Sequence, residues 1–268
     1  MKTIREFTKS ITRDDEYLLR FVLKMSSSDF LLQPEFKISP TKIKQFSALR
    51  KLRARGIPMQ YIVGEAWFFG LKLKVNKNVL IPRPESELMV ERALAIAEEH
   101  QTCSIIDMGT GSGAIAIALA KNVSCPVSAI DISTKALAVA RANARALKAR
   151  VKFSKADARK LSKLPKTPHV IITANLPYLS DRRMSRLSVE VKKEPKLALY
   201  GGPDGLDLYR IMLRNLFANK NQTVHALLEI DPEQKTKLAT FVRRELPKSE
   251  LIFYPDLHGD IRLAEITF

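Results

Sequence analysis

Asn175, Leu176, Pro177 and Tyr178 follow directly on the apolar run "IITA", so a strand ends in an amide, a rigid backbone and an aromatic ring. These residue types suit one chemical task, which is to hold a planar amino group. The nitrogen of such a group is a poor nucleophile because its lone pair is delocalised into the adjoining sp² carbon. An asparagine side-chain oxygen and a backbone carbonyl can accept both N–H hydrogens, which orients the nitrogen and favours charge building up on it as an electrophile arrives. Pro177 fixes the backbone so that the carbonyl of Leu176 or a neighbour points inward. Tyr178 offers a flat face to the planar group or to a nearby cation. Alone, Asn-x-Pro-Tyr reads as an ordinary turn. Its weight comes from standing at the C-terminal edge of a strand, where open α/β sheets bind ligands.

About 60 residues earlier lies "DMGTGSGA", residues 107–114, between an apolar strand and a helix. Gly109, Gly111 and Gly113, with Thr110 and Ser112 between them, leave room for a tight turn and for close approach of a ligand to backbone N–H groups. No Gly-Lys-Ser/Thr follows, so a nucleoside triphosphate loop is disfavoured. Asp131 ends the next strand about 20 residues on, where a carboxylate can accept ribose hydroxyls, as in dinucleotide folds. The leading Asp107 makes the order Asp-x-Gly-x-Gly-x-Gly, which resembles motif I of class I methyltransferases that use S-adenosyl-L-methionine. On that resemblance Asp107 helps position the methionine end of the cofactor, Asp131 the ribose, and Asp157 with Ala158 the adenine. Asp107 as a cap for the loop's own amides, and Asp157 as the N-cap of "ARKLSKL", are the structural alternatives.

The elements that must position these groups alternate. "SIIDMG", "VSAID", "VKFSKAD" and "HVIITAN" read as strands, with helices in "GAIAIALAKN" and "STKALAVARANARALK", the latter opened by Ser133. Such alternation predicts a mostly parallel sheet with helices on both faces. "DLYRIMLRNLFA" reads as a helix and "HALLEI" as a strand, with a further helix after it. "ELIFYPD" and "IRLAEITF" are too close together for a parallel crossover and are expected to pair antiparallel. Residues 176–205 look structureless. Before the core, residues 1–60 show helical spacing in "YLLRFVLKM" and "TKIKQFSALRKLRARG", with "SSSDFLLQPEFKISP" read as a break. Residues 61–84 read as a β-hairpin linker, and 85–268 as the catalytic domain.

The chain has 268 residues, 46% of them hydrophobic, enough for a large domain and a smaller one. No apolar run approaches a membrane span and the N-terminus lacks a secretory core, so no membrane association and a cytoplasmic location are expected. Cys103 and Cys125 stand alone among four scattered histidines, a pattern that suggests two reduced, partly buried thiols and neither a disulfide framework nor a zinc site. The net charge of +17 peaks in the middle, where residues 101–200 carry 18 basic and 6 acidic side chains. Residues 140–166 are either a solvated face or a surface for ribosomal or RNA contact.

Taken with their flanks, these motifs resemble the HemK/PrmC family, the protein-(glutamine-N5) methyltransferases that act on peptide chain release factors. The flanks that carry the likeness are "IPRPESE" from residue 81, "EVKKEPKLALYGGPDGLDLYRIML" at 190–213, "LLEIDPEQ" and "DLHGDIRLAEI". The resemblance implies an α/β class I S-adenosylmethionine-dependent methyltransferase fold, Rossmann-like, with a mostly parallel sheet, an antiparallel C-terminal strand and a small helical N-terminal domain that grips the release factor. It implies that Asn175, Leu176, Pro177 and Tyr178 hold the glutamine amide of a Gly-Gly-Gln loop. Glu85 and Glu87 are base candidates only by proximity and are better given structural roles. One departure stands out: the family has Asn-Pro-Pro-Tyr, and here Leu176 takes the first proline position. Asn-Leu-Pro-Tyr resembles the motif of ribosomal RNA adenine dimethyltransferases, so methylation of an RNA adenine amino group is the alternative. A third reading is a non-enzymatic binding module on ribosomal particles, against which the intact glycines, Asp131 and Asn175 argue.

Overall fold

Ser133 shows how local chemistry sets the elements. Its hydroxyl accepts from the backbone N–H of Ala136 and starts a helix where the sequence places one. The computed structural model describes residues 2–8, 11–161, 163–219 and 221–268. They form two compact units. One runs to Glu65 and takes in Val189–Lys193; the other comprises Ala66–Ser188 and Glu194–Phe268.

The first unit is helical: α1 (Ile4–Thr8), α2 (Arg13–Leu23), α3 (Ser27–Leu32), α4 (Pro40–Ala54) and α5 (Met59–Val63). Thr12 and Asp15 form a capping box at the start of α2. Leu18, Leu19, Phe30, Ile38 and Phe46 make its buried core. The supposed break at residues 26–40 holds α3, which Ser26 caps by accepting from Asp29 N–H, so the serine run is a helix start. Leu31 and Leu32 at its end are 74% and 79% exposed.

A hairpin of β1 (Glu65–Phe68) and β2 (Leu71–Lys74) leads to α6 (Glu87–Glu99). Then come β3 (Cys103–Met108), α7 (Ala114–Asn122), β4 (Val127–Asp131), α8 (Thr134–Ala146), β5 (Val151–Lys155) and β6 (His169–Ala174). A short α9 (Asp181–Ser185) lies in the span expected to be structureless, followed by α10 (Asp207–Phe217), β7 (Thr223–Glu229), α11 (Lys235–Glu245), β8 (Glu250–Pro255) and β9 (Ile261–Thr267). Strand order in the sheet is β5-β4-β3-β6-β7-β9-β8. β5 to β7 run parallel, and β9 pairs antiparallel with both β7 and β8. All six residues of β3 are buried, as expected of a parallel strand covered on both faces. One apolar layer joins α6 and α7 to the sheet, and the other joins α10 and α11.

The chain winds outward from β3 to β5, then returns to β6 and proceeds the other way. The switch point between β3 and β6 opens a crevice at the C-terminal strand edges. At the opposite edge the fold gathers three histidines that sequence spacing left scattered. His169 opens β6, His225 lies on the same face of β7, and His100 caps α6. Burial and neighbouring histidines hold His225 down to about 4 and lower His169 as well. Cys103 and Cys125 are free, and burial pushes the Cys125 thiol up to about 12. Among the described residues no helix is long and apolar enough to cross a membrane.

Candidate active site

The crevice is a cavity of about 300 Å³. The strand edges bring to its lining Asp107 near the end of β3 with Gly109, Thr110, Gly111 and Ser112 after it, Asp131 at the end of β4, Asp157 and Ala158 after β5, and Asn175, Leu176 and Pro177 after β6. Two expected residues stand behind the wall. Gly113 starts α7 with φ of +82°, and Tyr178 packs its ring against the core.

On the β3–β4 side the loop is held by backbone. The N–H groups of Gly109 and Thr110 donate to the Ile130 carbonyl at 2.8 and 3.0 Å. Gly111 N–H donates to Asp131 Oδ2 at 2.9 Å, and Ser133 N–H to Oδ1 at 2.8 Å. Asp131 therefore braces the loop while its remaining lone pairs face the cavity; burial raises it from the usual carboxylate range. Gly109 is a required glycine: its φ is +72°, and an added Cβ would lie 2.7 Å from Leu176 Cδ2. Asp107 is buried, and its Oδ1 accepts from Thr173 Oγ1 at 2.9 Å. Its Oδ2 and the nearby Thr110 Oγ1 are buried without a partner. Burial pushes Asp107 up to about 6. Asp157 caps the turn Ala158–Lys160 and is paired with Arg159, whose side chain holds it below the usual range. The capping alternative for Asp157 thus has direct geometric support.

On the β6–β7 side the site is held by side chains. Asn175 Nδ2 donates to Ser86 Oγ at 2.9 Å and to Glu229 Oε2 at 2.8 Å. Both amide hydrogens are committed, which leaves Oδ1 as an acceptor for the cavity. Ser86 Oγ in turn donates to Glu229, and Tyr178 Oη donates to Glu229 Oε1 at 2.9 Å. Glu229 is fully enclosed, and burial raises it despite these donors. Burial and the adjacent Glu229 raise the Tyr178 hydroxyl, so it stays a donor. Tyr178 is not among the residues lining the cavity, and its hydroxyl helps fix Glu229. Sequence reasoning passed over Ser86 and Glu229, which lie inside "IPRPESE" and "LLEIDPEQ"; only the fold shows that both meet Asn175. Glu87 accepts from Phe69 N–H at 2.8 Å and is structural, and Glu85 is exposed.

The departure at Leu176 is accommodated locally. Its N–H, which proline would lack, donates to Tyr209 Oη at 3.2 Å. That hydroxyl gives its one proton to the Glu229 carbonyl at 2.6 Å, so the Leu176 carbonyl at 3.5 Å keeps its acceptor capacity. The side chain is buried below the glycine loop. Behind the motif, a Cβ on Gly205 would lie 1.9 Å from the Tyr178 carbonyl, so the "GGPDG" turn must carry glycine there to close on the motif's backbone. Glu194 accepts from Ile81 N–H at 3.0 Å and pairs with Arg83, tying the two flanking segments together.

Residues 6–64 match a family model described as the PrmC N-terminal domain, and residues 105–193 match one described as a methyltransferase domain. The chain is 35% identical over 254 residues to the release factor glutamine methyltransferase of Bacillus subtilis (strain 168), covering 92% of this chain and 88% of that one. It is 35% identical over 255 residues to the release factor glutamine methyltransferase of Streptococcus pneumoniae (strain ATCC BAA-255 / R6), covering 93% and 89%. Among solved structures, the catalytic domain of hMettl16 in complex with a MAT2A 3′UTR hairpin aligns with a TM-score of 0.57 at 16% identity, over 74% of this chain and 75% of that one. That likeness is one of fold.

Proposed function

The chain belongs to the release factor glutamine methyltransferase family, and on that premise we propose that it methylates the side-chain amide nitrogen of the glutamine in a release factor's Gly-Gly-Gln motif. It is an enzyme, and its cofactor is S-adenosylmethionine. The residues present fit that group: the unpartnered Asp107 Oδ2 and Thr110 Oγ1 are a buried acceptor and a hydroxyl suited to its ammonium end, and Asp131 offers lone pairs for ribose hydroxyls. When bound, the cofactor supplies a methyl group on a sulfonium sulfur, which is the reaction's electrophile.

The single observation that carries the proposal is the commitment of both Asn175 amide hydrogens to Ser86 and Glu229. Because they are committed, Asn175 presents only its oxygen, which accepts one N–H of the substrate amide. A backbone carbonyl of the Leu176–Pro177 stretch accepts the other. Held by two acceptors, the nitrogen is oriented and its lone pair is drawn out of conjugation as charge develops, so rate comes from positioning and electrostatics. Glu229, Ser86 and Tyr178 are positioning residues, and Leu176 packs the motif under the glycine loop. The helical unit, with Leu31 and Leu32 exposed, is the part proposed to hold the release factor. The exposed Arg141, Arg145, Lys148, Arg150, Lys152 and Lys155 are proposed to face ribosomal or RNA surroundings in the cytoplasm.

Asn175→Ala tests the reading. Single-turnover methylation of release factor should fall roughly 10²- to 10³-fold while cofactor affinity measured by calorimetry holds. Undiminished methylation would remove Asn175 from the mechanism.

A further inference from the structure

Beyond the methyl-transfer site, we propose that His100, His169 and His225 form a binding site for one divalent transition-metal ion, zinc by its donor chemistry, at the N-terminal edge of the sheet. Each histidine offers one nitrogen, and these nitrogens all lie within 4.8 Å of one another. Among the described residues this is the one group of histidine, cysteine or acidic side chains that converges so closely.

The geometry is compatible with a metal. His169 Nδ1 and His225 Nε2 are 3.2 Å apart. In this structure that contact is a hydrogen bond between the two rings; two nitrogens at zinc's bond length of about 2.0–2.1 Å and a tetrahedral angle stand about 3.3 Å apart, so an ion replacing the shared proton would need little change in their spacing. The other nitrogen of His225, Nδ1, lies 3.4 Å from Thr267 Oγ1. That contact gives a metal-bound His225 a partner for its remaining N–H, the outer-shell arrangement that fixes a ligand's tautomer. His100 stacks on His169 with ring centroids 3.8 Å apart and planes 5° from parallel. Two parallel stacked rings cannot both aim an in-plane lone pair at one ion, so metal binding requires His100 to turn out of this stack.

The backbone also favours a cation. His100 is the C-cap of the thirteen-residue α6, whose last carbonyls carry the negative end of the helix dipole. The two charged side chains that act on His225 neutralise each other, since Arg92 binds Glu265 through two hydrogen bonds and Tyr254 completes that carboxylate. Three imidazoles with no thiolate or carboxylate among them suit a borderline ion such as zinc, cobalt(II), nickel or copper, with water in the remaining position. Asn175 is six residues along from His169, which at strand rise is about 20 Å. The ion would therefore clasp the end of α6 to β6 and β7 and take no part in methyl transfer.

The test uses the full-length, tag-free protein after chelator dialysis, titrated with cobalt(II) and followed by visible absorption. One equivalent should produce the intense d–d bands of a four-coordinate site, and zinc should displace the cobalt. His100→Ala and His169→Gln, both at half-exposed positions, should weaken binding at least about tenfold while methyl transfer persists as the check on folding. Zinc should also raise the melting temperature of the unmodified protein and leave that of His100→Ala unchanged. Absence of saturable cobalt binding, or binding that survives in both variants, would overturn the proposal.

Discussion

The two sides of the cavity are built in different ways. On the β3–β4 side, contiguous residues hold one another: Gly109 and Thr110 donate to Ile130, and Gly111 donates to Asp131. On the β6–β7 side, Asn175 is fixed by Ser86, 89 residues away in sequence, and by Glu229, 54 residues away. A cofactor common to many substrates can be met by a loop with a fixed backbone shape. The substrate amide must be distinguished by the orientation of a single side chain, and that orientation depends on long-range partners packed from other elements. If this contrast is correct, damage on one side should alter methyl transfer and damage on the other should alter cofactor affinity.

Among changes that leave Asn175 itself in place, Glu229→Gln should have the largest effect. It puts a donor opposite at least one of the three donors that Glu229 now accepts, so Asn175 loses its fixed orientation. Single-turnover rate should fall roughly tenfold to a hundredfold with cofactor affinity unchanged. A matching loss of cofactor affinity would dissolve the distinction between the two sides.

Asp107→Asn probes the other side. Because burial places Asp107 at about 6, with the nearby Thr110 and Thr173 hydroxyls favouring its ionisation and Asp131 opposing it, the carboxylate forms as pH rises through that value. Affinity for a cofactor with an ammonium end should therefore increase from pH 5 to pH 7 and level off above. Calorimetry on Asp107→Asn should give weaker, flatter binding. The sign for stability is opposite. A folded-state value above the unfolded 3.8 means the protein without cofactor loses stability as pH rises through about 6. Asp107→Asn should relieve that loss at pH 7.5, by on the order of 3 kcal/mol in denaturant melts.

Leu31→Asp with Leu32→Asp should touch neither side. We expect roughly a fivefold rise in KM for release factor at unchanged kcat, measured by steady-state methylation. A fall in kcat instead would mean that the helical unit does more than hold the substrate.

What could be read in the sequence follows the same division. The glycine loop, Asp131 and Asn175 were legible because each sits within a few residues of a strand end that hydrophobic patterning locates. The antiparallel pairing of β8 and β9 was legible from their short connection. Glu229 was not, because a glutamate closing an apolar strand looks the same whether it faces solvent or receives three hydrogen bonds. The role of the Tyr178 hydroxyl was not legible either, because its partner Glu229 lies 51 residues away. The helix at Ser27–Leu32 was hidden by serines that suggest a break but include the cap. His100, His169 and His225 have no sequence spacing that signals a site; they meet because β6 and β7 are neighbours and α6 ends above them.

The central claim concerns which planar amine the Asn175 side accepts. Incubating the protein with methyl-labelled S-adenosylmethionine, purified release factor and ribosomal RNA together, then mapping the label by mass spectrometry, addresses it directly. The account predicts label on the side-chain amide of the Gly-Gly-Gln glutamine. Label on RNA adenines with none on the release factor would contradict it.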